Sequence, residues 1–161
     1  MADTAALEAH LAISKDKARY CRMLDTKDWA GFGALFTEDF VLDVSEGTSV
    51  PVIRGREAAM QQVQTLVGSA RTVHQVHTPE IDVQGDEAQV IWAKQDRVVW
   101  DTPRRGLASI TGYGHYHERY VRQNGEWKIA SLRLTRLHLD VQPALCRARS
   151  SWSRSRFVGP I

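Results

Sequence analysis

Tyr120-Val121-Arg122-Gln123-Asn124-Gly125-Glu126-Trp127-Lys128-Ile129 is the stretch that settles the architecture. Asn-Gly supplies two residues that accept the left-handed backbone of a two-residue turn, and apolar residues flank it on both sides, so the segment reads as a β-hairpin. Working outward, the same turn chemistry recurs. Gln84-Gly85-Asp86 follows Ile81-Asp82-Val83, and Asp101-Thr102-Pro103-Arg104-Arg105-Gly106 follows Val98-Val99-Trp100. These breaks divide the second half of the chain into four long strands joined by hairpins.

The first half keeps a different period. Leu7, Leu11, Ala18 and Cys21 recur at helical spacing across residues 4–24, with charged residues between them, and Asp25 continues that stripe. Trp29, Phe32, Leu35 and Phe36 repeat the interval behind a Thr or Asp cap, which predicts a short second helix. Phe40-Val41-Leu42-Asp43-Val44 reads as a strand. After a Gly/Ser/Pro loop, Ile53-Arg54-Gly55-Arg56-Glu57 opens a third helix with apolar positions Ala58, Met60, Val63 and Val67. The order predicts an α+β domain with helices on one face of a mostly antiparallel sheet.

At 161 residues and 43% hydrophobic, the chain fits one domain with a real core, assigned to residues 1–140. The net charge of +2 comes from Arg147, Arg149, Arg154 and Arg156 in a basic Ser/Arg-rich tail, residues 141–161; residues 1–146 alone come to −2. Arginines spread along such a tail are not a basic stripe across a folded face, and no nucleic-acid partner is expected. No apolar run approaches the length of a membrane span, and the first residues lack the layout of a secretory signal, so a cytoplasmic location is expected. Cys21 and Cys146 lie far apart, without metal-ligand spacing, and a disulfide framework is not expected.

The chemistry centres on Asp25 and His74. A carboxylate that accepts a histidine ring N–H fixes one tautomer and makes the other nitrogen more basic, the setting for proton abstraction. Asp25 has a structural alternative, capping the second helix by accepting an N–H from Asp28. His74 and His77 are three apart and would point to opposite faces of an unbroken strand, so only one enters a cavity; the interval to Ile81 favours His74. His115 and His117 share a face, but no acidic or cysteine partner stands at ligand spacing, and no metal is expected. Trp92, Lys94 and Asp96 alternate onto one face, where an inward Asp96 needs a partner that Arg133 on the last strand could supply. Tyr116 shares its face with Gly112 and Gly114, small residues that leave room for a ligand. Trp29, Phe36, Trp92 and Tyr116 are core formers, or the walls of a cavity.

The ordered set Tyr20 to Trp29, Leu35 to Phe40, Ile53 to Glu57, Thr72-Val73-His74 with Ile81 to Asp86, and Tyr120 to Ile129 resembles the nuclear transport factor 2-like superfamily, in particular its SnoaL-like branch. The resemblance covers residues 5 to about 140. It implies a cone-shaped fold in which three helices cap a curved sheet around a cavity, and a homodimer formed through the outer sheet face. Members that catalyse β-eliminations, namely scytalone dehydratase, bile acid 7α-dehydratase and hexachlorocyclohexane dehydrochlorinase, place an Asp at the end of the first helix and a His on the strand after the third. Asp25 and His74 match those positions, and Tyr20 stands where the bile acid enzyme has an active-site tyrosine. Leu24 replaces a tyrosine of scytalone dehydratase, and Tyr20 replaces the lysine of the dehydrochlorinase, so neither of those substrates is implied.

The resulting expectation is a lyase or isomerase acting on a hydrophobic small molecule without a cofactor. His74 would be the base and Asp25 its orienting partner. Tyr20, Asp96 or Arg133 would assist the anion, and Trp29, Phe36, Trp92 and Tyr116 would enclose the substrate. The competing expectation is a non-catalytic apolar-ligand-binding or dimerisation module of the same fold. An enzyme requires Asp25 within hydrogen-bond reach of His74; a binding module does not.

Overall fold

A computed structural model describes residues 4–46 and 48–144 of the chain. Three helices, α1 (Thr4–Thr26), α2 (Trp29–Gly33) and α3 (Arg56–Val67), alternate with seven strands: β1 (Phe36–Asp43), β2 (Ile53–Arg54), β3 (Arg71–Val76), β4 (Glu80–Gln84), β5 (Glu87–Arg104), β6 (Leu107–Gln123) and β7 (Glu126–Pro143). The sheet runs β2-β1-β7-β6-β5-β3, and β4 joins β5 beyond the end of β3. Only the β1–β7 pairing is parallel. The expected α+β cone, helices on a curved and mostly antiparallel sheet, is the architecture found.

Turn chemistry places the hairpins. Asn124 and Gly125 both adopt positive φ, 51° and 84°, between the paired Gln123 and Glu126. Arg105 and Gly106 do the same at 50° and 77°. The β5–β6 turn is therefore shorter than the expected 101–106 loop. β5 continues to Arg104 because its register with β6 breaks after Val99, and a broken ladder tolerates the missing N–H of Pro103. Five strands, not four, follow α3. The strand carrying His74 ends when His77 N–H donates to Ala93 O, and Pro79 separates it from β4. Irregularities in the β6–β7 register at Tyr113/Gly114 and Arg119/Tyr120 bend the sheet. At Gly114 a Cβ would run into the Thr135 carbonyl, so the close approach of the two strands requires glycine.

The first helix buries a different stripe from the one expected, and the third buries largely the expected one. On α1 the buried stripe is Ala9, Ile13, Lys17, Tyr20 and Leu24, while Leu7 and Leu11 are 58% and 65% exposed. Lys17 interrupts an otherwise apolar stripe and disguises it in the sequence. On α3, Met60, Val63 and Val67 pack against the core as expected, while Ala58 is exposed and Ala59 is buried in its place. Phe36 opens β1 instead of closing α2, because Ala34 ends the helix and Ile129 N–H donates to Leu35 O. The α2 cap is Asp28, whose side chain accepts from Gly31 N–H at 3.0 Å, so Asp25 is free of that duty. β7 continues three residues beyond the expected domain boundary at 140; of the tail, residues 145–161 lie outside the described residues.

The core has two halves. One is filled by an aromatic chain, Tyr116–Tyr20–Phe32–Phe36–Phe40, with successive centroids 5.9, 4.9, 5.0 and 4.3 Å apart. Beside it lies a wholly buried ion pair, Lys17 Nζ to Glu118 Oε1 at 2.5 Å. Glu118 also accepts from Trp92 Nε1 at 2.9 Å and Tyr120 Oη at 3.0 Å, and the Lys17 ammonium lies over the Tyr20 and Tyr116 rings at 3.7 and 4.0 Å. A buried pair is tolerated only when its remaining polar atoms are also satisfied, as they are here. Lys17→Met should therefore cost about 3–5 kcal/mol in urea denaturation, because it strands a buried carboxylate. Lys17→Met with Glu118→Gln should recover part of that loss, since the amide oxygen still accepts from Trp92 and Tyr120.

Candidate active site

The other half of the core is a cavity of about 540 Å³, within the size range of small-molecule sites. Leu24, Leu42, Val63, Val98, Leu132 and Leu134 make its apolar wall; Tyr20, His74, Lys94, Asp96, Tyr116 and Arg136 bring its polar groups. The long strands dictate this division. Val90, Trp92, Lys94, Asp96 and Val98 alternate inward on β5, and Leu132, Leu134 and Arg136 do so on β7.

Asp25 sits in the last turn of α1, just before Lys27 takes a left-handed conformation at φ 62° and reverses the chain. Its carboxylate would be disfavoured at a helix C-terminus, but three donors on β3 offset that. His74 Nδ1 reaches Asp25 Oδ1 at 2.7 Å, His74 N–H reaches Oδ2 at 2.8 Å, and Thr72 Oγ1 donates to Oδ1 at 2.8 Å. Lys27 Nζ donates in turn to Thr72 Oγ1 at 2.9 Å. A carboxylate can only accept, so His74 carries its proton on Nδ1 and leaves Nε2 unprotonated. Burial pushes the Asp25 carboxyl up, but the ring and backbone hydrogen bonds of His74, its charge and Thr72 outweigh that and hold it below the usual value. His74 moves down: burial disfavours the imidazolium more than Asp25 supports it, and the charges of Lys94 and Lys17 add to the effect. The imidazole is neutral, and able to accept a proton, at neutral pH.

His74 and Asp96 are direct partners across the β3–β5 ladder, so they share a face a few ångströms apart. Asp96 is shared by two cations, Lys94 Nζ and Arg136 Nη1, the latter at 2.7 Å. Burial, with the charges of Arg136 and Lys17 adding, pushes the Lys94 ammonium down to about 6. Gly112 makes the arrangement possible: a Cβ there would fall on Arg136 Nη1 and 2.8 Å from Asp96 Oδ1. The space that Gly112 leaves is thus taken by Arg136, not by a ligand.

Of the expected site residues, Asp25, His74, Tyr20, Asp96 and Tyr116 converge on this cavity, Asp25 through His74. Burial above all holds the Tyr20 and Tyr116 phenols protonated, well above their ordinary range. Four others do not converge. Trp29 packs on Phe32, Phe36 stacks between Phe32 and Phe40, and Trp92 is held by Glu118, all behind the cavity wall. Arg133 faces outward, 63% exposed near Glu46, because strand alternation from Leu132 and Leu134 selects even-numbered positions. Arg136 therefore partners Asp96, and the two leucines are the signal that could have found it. His77 is exposed, and His115 and His117 lie on the outer sheet face. Among the described residues no three His, Cys, Asp or Glu side chains gather as for a metal, and no helix is long and apolar enough to cross a membrane. The opposed effects on His74 give a direct test: its ring should titrate below 6.5 in proton NMR, and lower still in Asp25→Asn, which removes the partner that raises it.

Comparison with known proteins agrees with this geometry. A family model described as a SnoaL-like domain matches residues 5–133. The probable cyclase FGR4 of Gibberella zeae is 28% identical over 141 residues, 81% of this chain and 93% of that protein. A scytalone dehydratase-like structure from Novosphingobium aromaticivorans superposes with a TM-score of 0.74 at 24% identity, covering 92% of this chain and 99% of that one. A hexachlorocyclohexane dehydrochlorinase structure gives a TM-score of 0.76 at 16% identity over 93% and 99% of the two chains, a likeness of fold. The helix-capped cone, the cavity and the match along most of its length make this chain a member of the SnoaL-like domain family.

Proposed function

We propose that the chain is a lyase or isomerase of dehydratase type, in which His74 removes a proton from a hydrophobic small molecule bound in the cavity. The observation that carries this reading is the 2.7 Å contact between His74 Nδ1 and Asp25. It fixes the tautomer, and the half-enclosed setting keeps the imidazole neutral and ready as a base. Nε2 would take a proton from the carbon next to a carbonyl, and the electron pair would move onto the carbonyl oxygen as an enolate. The imidazolium would then protonate either a departing β-hydroxyl, completing elimination of water, or a different carbon, completing isomerisation. Tyr20 and Tyr116, as protonated phenols, and the Lys94–Arg136 pair supply donors for the developing oxyanion.

The probable cyclase and dehydratase-like relatives are in keeping with this class of chemistry. A homodimer through the outer sheet face belongs to the same proposal, because Val73, 53% exposed, and the Tyr113, His115 and His117 face stand uncovered in a single chain. Light scattering of the purified protein should give twice the mass of one chain.

Turnover is tested by incubating the protein in D2O with cyclic β-hydroxy ketones and following water loss and α-deuteration by mass spectrometry. His74→Ala should lower the rate by about 100-fold or more while leaving ligand binding intact. A wild-type protein that binds such compounds yet neither dehydrates nor deuterates them contradicts the reading.

A further inference from the structure

The polar lining of the cavity is unbalanced. Arg104, Arg105 and Arg136 face it against one described carboxylate, Asp96, while burial holds down the charge of both Lys94 and His74. Asp96 offsets one of the three guanidinium groups, that of Arg136. Arg104 is anchored at the rim, where Nη1 donates to Thr65 O at 2.6 Å and Leu66 O at 2.7 Å, the last turn of α3.

Two buried donors on the same cavity lack acceptors among the described residues: Arg136 Nε and Trp100 Nε1. Buried donors are nearly always paired, and leaving one unpaired costs more than an average hydrogen bond gains. Arg136 uses Nη1 for Asp96, on the end of the guanidinium away from Nε. The free Nε–Nη2 edge presents two parallel N–H groups, the geometry that matches the two oxygens of a carboxylate. Asp96, Val98 and Trp100 follow at two-residue intervals on one face, which puts Trp100 roughly 13 Å along the strand from Asp96. Val98, Leu132 and Leu134 supply the apolar surface of the same cavity.

From this we infer that the ligand of the cavity is a hydrophobic carboxylic acid, its carboxylate seated on the Nε–Nη2 edge of Arg136 and a second oxygen on its apolar body accepting from Trp100 Nε1. The inference rests on the cavity being the substrate site, and not on which group abstracts the proton. It narrows the proposed substrates to those carrying an acid at the end distant from Trp100.

Titration calorimetry with 2-naphthoate and its neutral counterpart of like shape, 2-acetonaphthone, tests it. The wild-type protein should bind the acid at least about tenfold more tightly, with the preference shrinking as salt is raised. Arg136→Gln should abolish the preference, Arg136→Lys should keep only part of it, and His74→Ala should leave it unchanged. Trp100→Phe should weaken 6-hydroxy-2-naphthoate while sparing 2-naphthoate. Equal wild-type affinity for acid and ketone overturns the acid assignment and leaves the cavity as a substrate site. Failure of both to bind overturns the assignment together with the reading of the cavity. If the Arg136 variants do not fold, the wild-type comparison decides alone.

Discussion

The carboxylate of Asp25 ties the end of the first helix to the edge strand β3, with the Lys27–Thr72 bond beside it. It sits on the last turn of α1 and takes three hydrogen bonds from Thr72 and His74 on β3, at the sheet edge. A helix terminus repels a negative charge, so the carboxylate is stable there only because the strand supplies donors. Those bonds set how far α1 leans over the sheet, and thus the width of the space beneath it. They also hold the ring of His74 in one tautomer. The shape of the cavity and the tautomer of the imidazole in its wall therefore depend on the same side chain.

Charge is distributed in layers across the concave face. Nearest the aromatic half lies the closed Lys17–Glu118 pair, with every partner accounted for by Trp92, Tyr120 and two tyrosine rings. Farther along the same strands lies the open cluster of Lys94, Asp96 and Arg136, where a donor remains without a partner. The contrast is between a buried pair that is fully partnered and a cluster that is not. A satisfied pair fixes how elements pack, whereas an unsatisfied one next to a void asks for something to bind.

Much of the fold was legible in residues with strong local rules. Asn124-Gly125 and Gln84-Gly85-Asp86 marked their turns because few dipeptides accept that backbone. Asp25 and His74 were legible as a pair through a resemblance rather than through spacing, since no local rule brings positions 49 apart together. What misled was charge inside apolar periodicity. Lys17 hid the true stripe of α1, and Arg133 was taken for Arg136 although Leu132 and Leu134 mark the inward parity of β7. Aromatic residues were an uneven guide to the cavity, because Trp29 and Phe36 pack on Phe32 and Trp92 is held by Glu118 instead of lining the void. Only the assembled strands reveal which buried groups are left over.

The interruption at His77–Pro79 has a consequence for how the molecule meets its neighbours. It splits one border of the sheet into a six-residue and a five-residue piece, and the opposite border is the two-residue β2. At the β3/β4 and β2 margins no long uninterrupted ladder of free N–H and C=O groups is offered to a foreign strand. The C-terminal half of β7 is different: β1 pairs with this strand only as far as Arg133, so residues 134–143 are paired with β6 on one side alone and carry the exposed Leu137, Leu139 and Val141. Short borders thus guard two margins of a cone rich in extended chain, and the overhanging end of β7 is the place where a foreign strand would add.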